Sequence, residues 1–230
     1  MDVRLLASTP EAENLVVAAA RLCYSSSSFE ELLTWTEERK SALLRKVLAA
    51  GHLSVLEHAS FTFGVSGISR ACSHQLVRHR IASFSQQSQR YVDASGFDAV
   101  VPPAIAANGE ALQRFNALLE EARAVYAELL AMGIASEDAR FVLPNAVKTS
   151  LVVTMNAREL RHFFSLRCCL RAQWEIRELA GKMLALVQEK APLLFAGVGP
   201  ACLSGPCPEG GRSCGRMEDV RAAFAAGTIP

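Results

Sequence analysis

ASFTFGV, residues 59 to 65, places Phe61, Phe63 and Val65 on one face and Ser60, Thr62 and Gly64 on the other. Alternation with a period of two is the mark of a strand with one buried face. Upstream, GHLSVLEH (51 to 58) reads as a loop holding His52, Ser54, Glu57 and His58. Gly51 stops a helix over Thr36 to Ala50, in which Leu43, Leu44, Val47 and Leu48 recur at helical spacing. Downstream a helix starts from Ile68, and Gln75, Arg78 and His79, at i, i+3 and i+4, are expected to share a face in its last turn. The polar run Ser83 to Gln89 reads as a loop or irregular turn.

Farther out, residues 2 to 8 predict an edge strand, and Thr9-Pro10 opens a helix through Leu15, Val16, Ala19 and Leu22. FDAVV (97 to 101) is a short strand ended by Pro102 and Pro103, which remove two backbone donors in succession. A long helix runs from Asn108 to Gly133, and Ser136 is expected to cap a short one carrying Arg140. Residues 146 to 155 alternate again as a strand, with Val147, Thr149, Leu151, Val153 and Met155 in one row. Asn156 and Glu159 have the spacing of a capping pair, and a last long helix covers Gln173 to Lys190. Strands and helices interleaved without strict alternation predict an α+β fold, with helices packed around a small, mostly antiparallel sheet. Residues 1–200 read as a single domain. Residues 201–230, rich in Gly, Pro and Cys, read as an extended C-terminal tail with a short terminal helix.

Half of the 230 residues are hydrophobic, enough for a sizeable core. The net charge of +1 gives no ground for wholesale attraction to nucleic acid, although a local basic pocket stays open. No run is long enough to span a bilayer, and the amino terminus lacks the pattern of a secretory signal, so no membrane partner is expected. Seven cysteines, scattered and odd in number, do not make a disulfide framework, which points to a reducing, cytoplasmic setting. Cys202, Cys207 and Cys214 match no common zinc spacing, and no metal is expected.

Chemistry concentrates in RHRIASFSQQSQRY, residues 78 to 91, with no acidic residue between Glu57 and Asp93. Guanidinium groups beside hydroxyls and amides suit an anion with polar edges, such as a nucleotide. A solvated basic loop has the same composition. Ser88 and Arg90, two apart, offer a hydroxyl, a guanidinium and backbone N–H groups to one phosphate. Arg161, Arg167 and Arg171 form a second cationic cluster. Neither GxGxxG after the first strand nor GxxxxGK[ST] occurs, so any dinucleotide would need a site unlike the Rossmann fold.

The spacing RHRxxSxxxxSxR, met by Arg78, His79, Arg80, Ser83, Ser88 and Arg90, resembles the signature of the flavin-dependent thymidylate synthases. GHLSVLEHASFTF (51 to 63), ARFVLP (139 to 144), MNARELRHFFSLR (155 to 167) and AQWEI (172 to 176) are similar to other segments of that family, in the same order. The resemblance implies the thymidylate-synthase-complementing-protein type of α+β fold. It also implies conversion of dUMP to dTMP with FAD, NADPH and 5,10-methylenetetrahydrofolate, by a homotetramer whose active sites are shared between subunits.

Carried over residue by residue, it assigns Gln75, Leu76, Val77, Arg78, Gln86, Gln87, Ser88, Gln89, Arg90, Arg140 and Arg167 to dUMP. His52, Ser54, Arg78, His79, Arg80, Gln86, Asn156, Ala157, Arg158 and His162 are assigned to FAD. Arg167 is the catalytic candidate, polarising the uracil ring, and no enzyme nucleophile is required. The chain departs from the common family residues at Gln86, His162 and Arg171, where glutamate, asparagine and histidine are usual. Phe61, Phe63 and Trp174 read as core, Arg70 and Arg161 as solvated or interface charges, and Glu57 as a partner for His52 or His58. Two other classes compete. One is a module binding single-stranded nucleic acid, with Phe84 and Tyr91 stacking on bases. The other is a flavin-free thymidylate synthase with a cysteine nucleophile.

Overall fold

The computed structural model describes residues 1–26, 28, 30, 31 and 34–228. Alternation at 59 to 65 becomes β2 (Ser60–Ser69), which buries Phe61, Phe63, Val65 and Ile68. Its neighbours are β1 (Asp2–Ser8) and β4 (Lys148–Asn156), and β3 (Ala82–Gln86) forms the far edge, giving the order β1-β2-β4-β3. Ala157 N–H donates to the carbonyl of Ala59 and Arg70 N–H to that of Val147, so β2 and β4 run antiparallel. The row Thr149, Leu151, Val153 and Met155 of β4 is buried, as its alternation predicts. Helices on a small antiparallel sheet make this an α+β fold.

The helices in chain order are α1 (Ala12–Leu22), α2 (Glu37–Ala49), α3 (Arg70–Leu76), α4 (Pro103–Ala106), α5 (Gly109–Ala131), α6 (Ser136–Ala139), α7 (Ala157–Arg167), α8 (Trp174–Lys190), α9 (Pro192–Phe195) and α10 (Met217–Ala225). Caps set several of their starts. The side chains of Thr36, Ser69, Asn108 and Asn156 each accept a backbone N–H from the first turn that follows.

Several expectations need correction. Ser69 caps α3, so the strand continues past Val65 and takes Ile68, which had been read as helical. The helix then ends at Leu76 with Val77 as its C-cap, leaving Arg78 and His79 outside the last turn they were expected to share with Gln75. Arg78 is exposed and His79 is buried. The run Ser83 to Gln89, read as a loop or irregular turn, overlaps β3, a polar edge strand whose pairing comes from its neighbour in the sheet rather than from any apolar alternation. FDAVV makes only an isolated antiparallel bridge, Ala99 to Val147, before the two prolines. GHLSVLEH contains a 3₁₀ helix, Leu53–His58, and α1 starts at Ala12, after Glu11 in the left-handed region. The stretch after residue 200 is not extended: Ala201–Leu203 and Gly210–Arg212 are 3₁₀ turns, followed by α10.

Contacts divide the chain into two compact units. One comprises Met1–Asp2, Val65–Arg78 and Phe84–Val152. Its cores form where α5 packs Leu119 and Ala122 with Phe97 and Val147, and Tyr126 with Ala94 and Ala139. The other comprises Val3–Gly64, His79–Ser83 and Val153–Pro230. A chain of edge-on aromatic contacts runs through it: Phe61 to Phe195 at 5.4 Å, Phe195 to Phe164 at 6.2 Å, Phe164 to Phe163 at 5.5 Å and Phe163 to His79 at 4.9 Å. Each buried phenyl ring contributes about 1.5–3 kcal/mol, which makes this row a stiff support for the imidazole at its end.

Candidate functional site

In the second unit, α7 presents Leu160, Phe163 and Phe164 inward while Arg158 and His162 face solvent. At its C-terminal end the Nε–H of Arg167 donates to Nε2 of His79 at 3.0 Å. On the opposite side of the ring, Nδ1 of His79 lies 3.3 Å from Oε1 of Glu159. His79 is only 5% exposed. Burial first, then the Arg167 guanidinium and His162, push its pKa down to about 4, so the imidazole is neutral at physiological pH. Burial raises the pKa of the Glu159 carboxyl, and His162 works in the other direction.

Arg167 also lines a cavity of about 320 Å³ together with Arg171, Cys169, Cys202, Cys207 and Cys214. Four of the seven cysteines thus meet around one space, and one wall of it comes from the stretch that had been read as an extended tail. Among the described residues no three His, Cys, Asp or Glu side chains are grouped closely enough to hold a metal ion. Cys168, buried beside Cys169, has its thiol pushed up to about 12 and is inert as a nucleophile.

Elsewhere in this unit, Arg158 pairs with Glu57, which had been read as a partner for His52 or His58. Arg161, read as a solvated or interface charge, is half-buried and donates to the carbonyl of Leu194 at 2.6 Å. His52, Ser54, Arg80 and His162 are exposed. Asn156 spends its side chain on the α7 cap, accepting the Glu159 N–H at 2.9 Å, and Ala157 is buried. Glu159 is no reciprocal partner in that cap, because its carboxylate faces His79.

In the first unit, Gln87, Ser88 and Gln89 line a cavity of about 270 Å³ with Lys148 and Thr149. The Gln86 amide donates to the hydroxyls of Ser73 at 2.9 Å and Thr149 at 3.2 Å, which fixes its orientation. Ser88 Oγ accepts the backbone N–H of Arg90 at 3.1 Å. The Arg90 guanidinium pairs with Glu137 at 2.6 Å, both side chains being 49% exposed. An exposed pair of this kind is worth at most about 1 kcal/mol, so an incoming phosphate can take the place of the carboxylate. Arg140 Nε donates to the Glu137 carbonyl at 3.0 Å, and Arg70, half-buried near Arg140, has its pKa lowered by burial and by that neighbour. Gln75 is half-buried and Leu76 wholly buried, whereas Val77 and Arg78 are exposed.

Sequence reasoning missed Glu159, Glu137, Ser73 and Thr149 as supports of the site. Two of them had a visible signal. Thr149 is the one hydroxyl in the buried row of β4, and Glu159 lies four residues before Phe163 on the buried stripe of α7.

The chain matches the family described as thymidylate synthase complementing protein over residues 4–193. It is 55% identical over 227 residues to the flavin-dependent thymidylate synthase of Geobacter sulfurreducens, covering 97% of this chain and 98% of that one. The chain belongs to the flavin-dependent thymidylate synthase family. Relatives of the same name from Nitratidesulfovibrio vulgaris (50% identical, 93% of this chain and 94% of that one) and Pyrococcus furiosus (47%, with 81% and 79%) agree. A flavin-dependent thymidylate synthase is an enzyme, so the reading of the 78 to 91 stretch as a nucleic-acid module is set aside, as is the flavin-free alternative.

Proposed function

We propose that the protein methylates dUMP to dTMP reductively, with FAD as hydride carrier, NADPH as reductant and 5,10-methylenetetrahydrofolate as one-carbon donor, as a cytoplasmic homotetramer with shared active sites. The observation that carries this reading is Arg167, held at Nε by a buried neutral imidazole and standing at the wall of a cavity. A guanidinium facing the N3 and carbonyl edge of uracil favours the deprotonated, enolate-like ring and makes the pyrimidine carbon nucleophilic. No enzyme nucleophile is then needed. Ser88 and Arg90 are assigned to the dUMP phosphate, with Gln75, Leu76, Val77, Gln86, Gln87, Gln89 and Arg140 around it. Leu76 serves through its backbone, since its side chain is fully buried.

The residues present fit a flavin dinucleotide. Arg80 is exposed, and among the described residues its guanidinium has no hydrogen-bond or ion-pair partner, which suits it to a phosphate of the cofactor; Arg78 is likewise exposed and is assigned to FAD by the family resemblance. His52, Ser54, Arg158 and His162 are exposed donors for the rest of the cofactor, with Asn156 and Ala157 at the start of α7. When bound, FAD supplies hydride transfer and relay of the one-carbon unit. The protein orients and polarises the nucleotide.

The test is NADPH oxidation by the purified flavoprotein with and without dUMP and the folate, with dTMP measured. Oxidation coupled to dTMP formation only in the complete mixture supports the reading. A colourless protein that takes up no added FAD, or one that makes no dTMP, overturns it.

A further inference from the structure

Glu159, Phe163 and Arg167 are spaced by four along α7, so three successive turns present one side chain each along a single stripe. All three meet the same imidazole: Glu159 at Nδ1 (3.3 Å), Phe163 edge-on at 4.9 Å and Arg167 at Nε2 (3.0 Å). His162, with ring centroid 6.0 Å away, is the other titratable group against it.

An arginine Nε–H is always a donor, so Nε2 of His79 must offer its lone pair. A neutral ring has one proton, which then sits on Nδ1, the edge that has Oε1 of Glu159 3.3 Å away. The opposite tautomer, or an imidazolium, would set an N–H against the Nε–H of Arg167 and break that hydrogen bond.

We propose that Glu159 is a positioning residue for the reaction: by accepting the Nδ1 proton of His79 it keeps the Nε2 lone pair turned to Arg167 and so aims the guanidinium. This rests on the reading of Arg167 as the group that polarises the nucleotide. The device resembles in logic the carboxylate that orients a catalytic histidine, with the difference that here the imidazole carries no proton to substrate and serves Arg167 as a fixed acceptor.

The holoenzyme with ¹⁵N-labelled histidine, examined by NMR at pH 7, tests the tautomer directly, the His79 signals among the five histidines being assigned by their loss in His79→Gln. The expected pattern is a protonated Nδ1 and a bare Nε2. The reverse pattern, or an imidazolium, overturns the proposal whatever the variants do. Glu159→Gln keeps an acceptor for Nδ1–H and should retain kcat within about threefold, whereas Glu159→Leu, similar in bulk but without an acceptor, should lose about tenfold or more at unchanged FAD content. A Leu variant with wild-type kcat, or a Gln variant as impaired as the Leu variant, sinks the proposal. A wild-type enzyme that makes no dTMP counts against the proposed reaction instead and leaves the tautomer result standing.

Discussion

At the scale of single residues, charge means different things in different surroundings. Arg90 and Glu137 pair in solvent, where the interaction is weak and exchangeable. Arg167, half-buried, meets a neutral acceptor in His79, and a neutral imidazole brings no opposite charge to the guanidinium. Arg167→Ala is therefore expected to keep FAD but to lose about 100-fold or more of kcat, read by single-turnover and steady-state assays side by side. Near-normal turnover would remove Arg167 from its role. His79 sets a pH dependence of stability. Its folded pKa of about 4 lies below the ordinary value of 6.5, so between those values the unfolded chain holds the extra proton. Stability is accordingly full above about pH 6.5, declines as pH falls through the window, and stops declining on this account below about pH 4, a total on the order of 3 kcal/mol. Urea midpoints at pH 7 and pH 4.5 check this, and His79→Gln should flatten the difference. An identical slope in both proteins would refute the assignment.

At the scale of elements, α7 joins the fold to the chemistry. Its N-terminus is fixed by Asn156, its buried stripe by Phe163 and Phe164, and its last residue is Arg167. Asn156→Ala leaves the Glu159 N–H without its side-chain acceptor and should cost about 1 kcal/mol, seen as a lower Tm in the apoprotein, where any loss of FAD binding cannot contribute. An unchanged apoprotein Tm would show the cap to be idle. The same element shows where periodicity stops being informative. The spacing of Asn156 and Glu159 announced a helix start correctly, yet nothing local says that the carboxylate leaves the cap for an imidazole 80 residues upstream in the chain. Likewise β3 has no apolar alternation of its own, because an edge strand acquires its shape from the strand beside it.

At the scale of the molecule, the proposed homotetramer would have a mass of roughly 100 kDa from chains of 24.9 kDa, a value that sedimentation can check. Sharing of active sites between subunits carries a sharper expectation. Arg90→Ala and Arg167→Ala, each nearly inactive alone, should recover a measurable fraction of wild-type activity, up to about a quarter, when co-expressed so that subunits mix, because some sites then receive both intact residues. No recovery in verified mixed oligomers would argue that each site is built within one chain. Among the described residues no helix is long and apolar enough to cross a membrane. The sequence alone determined the α+β class, most helices, the caps at Asn108 and Asn156, the buried rows of β2 and β4, and the family. All of these rest on local spacing, which neighbouring residues share whatever the rest of the chain does. Only the tertiary structure decided that α3 stops before Arg78, that the stretch after residue 200 walls a cavity with Arg167, and that Glu159 and Arg167 grip opposite edges of His79. Those depend on which side chains meet after long loops close, and a linear pattern does not encode a contact between residues some 80 positions apart.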